Sequence, residues 1–442
     1  MSTSATPPQI IIRHQEVRAL PGQLDQVPVF NSNSPELVLQ EGILLSTFPP
    51  QGKDFPEAHL NFPLQGRFDI FAHHIAKATT QEDLRTLYLG IILQNPGNEQ
   101  IKVEILQAAS YLSQPDAPFI ELPSQADNHS GKVYSGPGSR VMGDILRGRR
   151  QADFPRQLVI EPRQSSLLFN LPIPVRKLSP PLNGRSSLIR LHSDGEVYAA
   201  SLALYALLDA DGNERTPTRE EWVQLLEKGQ LAQPRERTPS PPEVQTGQFI
   251  YGRVAGVAQG SLWQARLTDQ PQTQTLSIPQ PGQAFSYALS TIKGGSLGTG
   301  QIQSAPMLVR YSDTAYFAHG NYGVQYSLTL PLVNGTGATQ TVTLALETPL
   351  KQEQLQRGLR FLSPPDQSVF FRGTVQVCYQ DDTGIDRIDY LHLVQRRGQI
   401  GEALVSLKML PLDQRLVKVD FLYPADATPP QVLTVKTLEL AA

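Results

Sequence analysis

A single cysteine, Cys378, stands among 442 residues. That count excludes an intramolecular disulfide framework and any cysteine-built zinc or iron–sulfur site. Four methionines accompany it, and so little sulfur suits an extracytoplasmic location without requiring one. Charge is scarce as well: 18% of residues are charged, 38 basic against 41 acidic, for a formal net charge of -3. No global field therefore draws the chain onto nucleic acid or an anionic membrane. The longest apolar runs, such as Leu87 to Leu93 with Gly90 inside it, fall far short of the roughly 20 residues of a transmembrane helix. Met1 to Gln9 carries neither the basic region nor the apolar stretch of a secretory signal. Nucleophile-elbow, zinc-helix and nucleotide-binding motifs are missing too.

What the chain has in quantity is proline and glycine, 37 and 33 residues spread along its length. They disfavour long helices and favour many short elements joined by turns, so an all-β fold is expected. Leu87, Leu89, Ile91 and Leu93 alternate with other residues, Asn95-Pro-Gly-Asn98 follows, and Ile101, Val103 and Ile105 alternate again. Tyr326, Leu328, Leu330 and Leu332, then Asn334-Gly-Thr-Gly337, then Val342, Leu344 and Leu346 repeat the device. Period two puts one face of each strand in a core, and the turn residues between predict a hairpin-like pair each time.

The two devices have similar flanks. Phe71-Ala-His73 precedes the first and Phe317-Ala-His319 the second; Arg149-Arg150 and Arg396-Arg397 follow, and Pro180-Pro181 and Pro429-Pro430 come later still. Landmarks recurring in one order at offsets of 246, 239, 247 and 249 residues predict a tandem duplication. The expected fold is two related antiparallel β-sandwich units, Ig-like or jelly-roll-like, over residues 36–210 and 246–442, after an extended segment 1–35. Residues 211–245 bridge them. There Thr218 and Glu221 make a capping box, Trp222, Leu225 and Leu226 an apolar stripe, and Pro234 to Pro242 a stiff linker. A shorter helix is expected over Ser139 to Arg147.

Candidate chemistry is sparse. Asp209, Asp211, Asn213 and Glu220 have the oxygen spacing of a calcium loop, but Glu214 stands where that loop needs glycine, and a polar turn is the preferred reading. His73 and His319, with His74, could serve as ligands or bases; no acidic residue lies at suitable spacing, so a structural role in each half is preferred. Arg149, Arg150, Arg396 and Arg397 could hold carboxylates or phosphates bidentately, as in an anionic polysaccharide or an acidic protein face; the preferred reading is that each pair clamps a loop of its own domain, bonded to carbonyls and carboxylates there and largely buried. Asn128-His-Ser130 and Asn334-Gly-Thr336 match the glycosylation pattern.

Several stretches together, Val17 to Gln23, Val29-Phe-Asn-Ser-Asn-Ser-Pro35, Leu60 to His73, Gln107 to Asp116, Ala318-His-Gly-Asn-Tyr-Gly323 and Val394-Gln-Arg-Arg-Gly-Gln399, resemble an uncharacterised, largely cyanobacterial family, DUF3370. The resemblance implies a cyanobacterial source and, for many members, export across a membrane; it brings no catalytic residues. Three functions stay open at this point. They are a non-enzymatic envelope protein binding a polysaccharide or a protein partner, a glycan- or envelope-directed hydrolase with its site between the halves, and a cytosolic scaffold. Carboxylates about 5 to 10 Å apart in a cleft favour the hydrolase, and an arginine-bearing surface favours binding.

Overall fold

A computed structural model describes residues 8–80, 82–244 and 248–439. Strand dominates it: 47% of residues are strand and 5% helix, with 28 strands and two α-helices among the described residues. The strands form mixed sheets of twelve, seven and five strands and two small pairs.

The alternating segments are strands, Leu87–Gln94 and Ile101–Leu112, then Gln325–Val333 and Gln340–Glu347. Neither pair is a hairpin. Leu87–Gln94 bonds to Ser165–Ile173 and to the far end of the long strand Leu182–Tyr205, whereas Ile101–Leu112 bonds to Gln157–Ile160 and to the near end of that strand. Gln325–Val333 belongs to the seven-stranded sheet and Gln340–Glu347 to the five-stranded one. The turn therefore arches across a core rather than folding back in one sheet. Leu89, Ile91 and Leu93 meet Val103 and Ile105 in one apolar cluster, and Leu328, Leu330 and Leu332 meet Val342, Leu344 and Leu346 in another. Period two located the buried faces correctly, but a pattern of faces does not say whether the next strand is a neighbour or lies opposite.

Strand pairing crosses the expected unit boundaries in both directions. Segment 1–35 contributes three strands: Gln9–Arg13 pairs with Leu359–Ser363, Glu16–Arg18 with Ala284–Leu289, and Pro28–Ser32 lies between Leu64–Lys77 and Ala255–Gln259. Gln125–Asp127 in turn joins Asp386–Arg396 in the seven-stranded sheet. Such an arrangement is invisible to local pattern, because it depends on strands far apart in sequence.

Both expected helices form. The first, α1, covers Pro137–Leu146. It buries Val141, Met142 and Ile145 against Leu188 on one side and Leu422 and Ala425 on the other. The second, α2, covers Arg219–Lys228 with the Thr218/Glu221 capping box intact, and packs Trp222 and Leu226 on Ile43, Ile92 and Leu202. Each amphipathic stripe finds a sheet to cover, which stabilises helices too short to persist alone. No helix among the described residues is long and apolar enough to cross a membrane.

Candidate functional site

Strand alternation sets the first wall of a concavity beside the Pro28–Ser32 strand. Asn31, in the Pro28–Ser32 strand, and Asn33 just beyond it are two residues apart, so both side chains leave the same face. They line a cavity of about 600 Å³ with Tyr251 and Arg253 from the chain following the linker, Ala318 to Tyr322, and Lys351, Arg360, Phe370 and Arg397. That volume falls in the range of small-molecule sites, about 300 to 1,000 Å³. Three of the stretches that carry the family resemblance meet here: Val29 to Pro35, Ala318 to Gly323 and Val394 to Gln399.

Four cations line the cavity and no carboxylate does. Two of the four are balanced from behind: Arg253 by Glu36 and Glu236, and Arg397 by Asp366 at 3.1 Å. Lys351 donates to the Tyr251 hydroxyl at 3.0 Å, and neither it nor Arg360 has a carboxylate partner among the described residues. His319 stands edge-on to Tyr251 with ring centroids 4.8 Å apart. Burial, with a smaller push from Lys351, takes its imidazole down to about 4, so it is neutral at pH 7, and its buried Nδ1 has no partner among the described residues. Asn31 and Asn33 are 3% and 2% exposed, and the Oδ1 of each is unpartnered as well. Asn321, by contrast, is fully used: its amide donates to the Ser290 hydroxyl, the Gln303 carbonyl and the Tyr326 hydroxyl and accepts from the Ala305 N–H.

Glu36 and Asp426 stand behind this wall and are committed. Burial works against the Glu36 carboxylate, yet His73 at 3.4 Å and the Arg253 guanidinium outweigh it and hold its pKa below the usual range. Asp426 pairs with Arg372 Nε at 2.7 Å; burial raises its pKa, and both its oxygens are closed off from solvent.

The sequence-derived candidates scatter. His319 and Arg397 line the cavity, and His73 reaches it only through Glu36. His73 sits mid-strand in Leu64–Lys77, while Phe317–Ala318 is a two-residue strand opening into a loop, so the two motifs differ in setting. Arg149 and Arg150 follow α1, where they bond Asp144 and the Phe154 carbonyl. Arg396 ends the Asp386–Arg396 strand and bonds Gln367. The expectation of largely buried arginines at equivalent places is corrected, since Arg149 and Arg397 keep 48% and 47% of their side chains exposed. One carboxylate suffices to hold each guanidinium at the surface.

Asp209, Asp211, Asn213 and Glu220 are not drawn together. Asp209 Oδ1 accepts the N–H groups of Asp211 and Asn213, which is the polar turn expected there, and Glu220 pairs with Arg219 on α2. No group of three or more histidine, cysteine or acidic residues suited to a metal occurs among the described residues. Both glycosylation patterns fall on buried asparagines, 2% exposed at Asn128 and fully enclosed at Asn334, with amide nitrogens already bonded.

No curated protein matches the chain. Among solved structures, Lac15 from a marine microbial metagenome is 10% identical over 86% of this chain at a TM-score of 0.10, and the chain spans 56% of its length. The 11S allergen of Cocos nucifera is 8% identical over 87% of this chain and 88% of its own, and procruciferin, an 11S globulin from Brassica napus, 10% over 99% and 87%, both at TM-score 0.10. Likenesses this weak carry no argument. The model for the protein of unknown function family DUF3370 matches residues 15–437, and the chain belongs to that family.

Proposed function

We propose that this is a non-enzymatic, extracytoplasmic binding protein whose cavity takes an anionic polysaccharide. The observation that carries the reading is the lining: four cations, aromatic rings and no carboxylate. Hydrolysis of a glycoside needs an accessible acid and a second carboxylate within reach, and the carboxylates behind this wall, Glu36, Glu236, Asp366 and Asp426, are paired with Arg253, Arg397 and Arg372 instead. An anion entering the cavity meets Lys351 and Arg360 at no cost of breaking an existing ion pair, and binding there favours charge over chemistry. The extracytoplasmic location rests on the family resemblance.

The scaffold we propose for this site is a pair of related sandwich units that exchange edge strands. Ser165–Ile173 pairs with Leu87–Gln94 as Gln414–Leu422 pairs with Gln325–Val333. Gln157–Ile160 likewise pairs with Ile101–Leu112 as Ala403–Met409 does with Gln340–Glu347.

Retention on immobilised anionic polysaccharide at low salt tests the function. The native protein is expected to be retained and to elute as salt rises, and a Lys351→Ala/Arg360→Ala variant to flow through. Equal retention of the two proteins would remove the cavity from the account, and fractionation of source cells that leaves the protein in the cytosol would overturn its location.

A further inference from the structure

Sheet edges need covering, because their unpaired N–H and C=O groups pair with any strand that reaches them. Two edges of this fold are closed by carboxylates: Asp382 accepts the Lys408 N–H on Ala403–Met409, and Asp269 accepts the Ser277 N–H on Leu276–Ser277. A third, Leu262–Arg266, is bridged at Trp263 by Leu24.

Gln9–Arg13 has no such cover among the described residues. In its partner strand Leu359–Ser363, the Leu362 N–H goes to the Gly398 carbonyl and the Arg360 carbonyl accepts from the Leu350 N–H, both on the far side. The ladder between the two strands therefore runs through Leu359, Phe361 and Ser363 and their partners Arg13, Ile11 and Gln9. The N–H and C=O groups of Ile10 and Ile12 point outward, and none is bonded to another described residue. Side chains add to this. Ile11 packs inward beside Leu359 and Phe361, while Ile10 and Ile12 stand on the opposite face, 44% and 37% exposed. Successive isoleucines with neither lysine nor proline among them are the composition that open natural edges avoid.

A second copy of the same edge complements it. Antiparallel, about a two-fold axis at Ile11, Ile10 of each copy stands opposite Ile12 of the other, and each such pair exchanges both its N–H···O bonds. The side chains of Ile10 and Ile12 from both copies then share one face as cross-strand neighbours. Charge agrees with this register: Arg13 comes opposite Gln9, and its guanidinium is already paired with Glu347 at 3.0 Å, so no like charges oppose.

We propose that the chain forms a two-fold dimer through its Gln9–Arg13 strands, which joins the two-stranded sheets of two copies into one continuous sheet. A contact of one strand pair is small, so the dimer exchanges with monomer at micromolar or weaker affinity.

Sedimentation velocity of the full chain from micromolar to several hundred micromolar concentration tests this. The native chain is expected to shift from monomer to dimer. Ile12→Pro removes an outward N–H and leaves the ladder to Leu359–Ser363 untouched. Because the axis doubles every change, it should weaken the dimer by about tenfold or more, with an unchanged melting temperature. Ile10→Lys, on an exposed side chain, reads the same edge without altering the backbone and should weaken the dimer likewise. Adding Ile12→Glu to it sets opposite charges across the axis and should restore tighter association. A native chain that stays monomeric throughout, a dimer that Ile12→Pro and Ile10→Lys leave as tight as before, or a double variant no tighter than Ile10→Lys alone would each overturn the proposal.

Discussion

Asn95 and Asn334 occupy the same position in two arches, 239 residues apart. The Nδ2 of Asn95 donates to the carbonyls of Glu99 and Ile160, at 2.7 and 3.0 Å, and that of Asn334 to those of Ala338 and Met409, both at 2.9 Å. Each Oδ1 accepts the N–H two residues on, from Gly97 or Thr336. One side chain thus closes its own turn and fastens it to the strand end beside it.

Alanine at either position leaves one buried carbonyl, that of Ile160 or Met409, and one partly exposed carbonyl without these donors. Each single replacement is expected to cost about 2–3 kcal/mol, read as a lower denaturant midpoint with unchanged slope. A loss below about 0.5 kcal/mol would show that the arches hold without the amide.

Gly90 and Trp222 are fitted to one another. A Cβ on Gly90 would stand 2.8 Å from the indole ring, so Gly90→Ala is expected to destabilise by about 1–3 kcal/mol. In a Trp222→Leu background the same change should cost much less, because the atoms it meets are gone. Equal costs in the two backgrounds would mean that α2 docks without this contact.

These two contacts show where sequence reading succeeds. Trp222 was legible as a buried face because capping box and stripe agree over Thr218 to Leu226, and local agreement of that kind is what a short helix needs. The strands were legible from period two. Their partners were not: the same asparagine-rich turns that signal hairpins can arch over a core, and only the burial of Asn95 and Asn334 distinguishes the cases. The cavity was half legible. His319 and Arg397 drew notice through repeated motifs, but Lys351 and Arg360 are single cations outside any motif, nine residues apart and joined by the bond from the Leu350 N–H to the Arg360 carbonyl. Asn31 and Asn33 left a usable signal, two amides at strand spacing directly after the apolar pair Val29-Phe30.

His74 is wholly enclosed, between the Ser32 hydroxyl at 2.9 Å and the Pro35 carbonyl at 2.8 Å. The carbonyl only accepts, so Nδ1 carries the proton and Nε2 accepts from Ser32. Burial lowers its pKa from 6.5 to about 4. The unfolded chain therefore takes up a proton before the folded one, and the stability His74 contributes is full above pH 6.5 and is lost as pH falls toward 4. Glutamine there does not titrate. The stability advantage of native protein over His74→Gln is expected to shrink by about 2 kcal/mol between pH 7 and pH 5, measured by paired urea titrations. A constant difference would mean that His74 titrates normally.

Arg372 and Asp426 form the ion pair behind the cavity, with 20% and 29% of their side chains exposed. Removing the cation with Arg372→Ala leaves the carboxylate enclosed without its charge partner, at an expected cost of about 2–3 kcal/mol. Asp426→Asn in the same background should recover part of it, and thermal melts of the three variants check this. No recovery would mean that Arg372 stabilises through its packing on Phe119, 5.0 Å from that ring, rather than through the charge.

The central claim is that the cavity between Asn31, Tyr251, Arg360 and Arg397 is where this protein meets an anionic saccharide. A crystal structure of the protein grown with a short galacturonate oligomer tests it most directly. The account predicts a sugar ring in the cavity with its carboxylate within hydrogen-bonding distance of Arg360 or Lys351. An oligomer bound on another face, with this cavity holding only solvent, would contradict it.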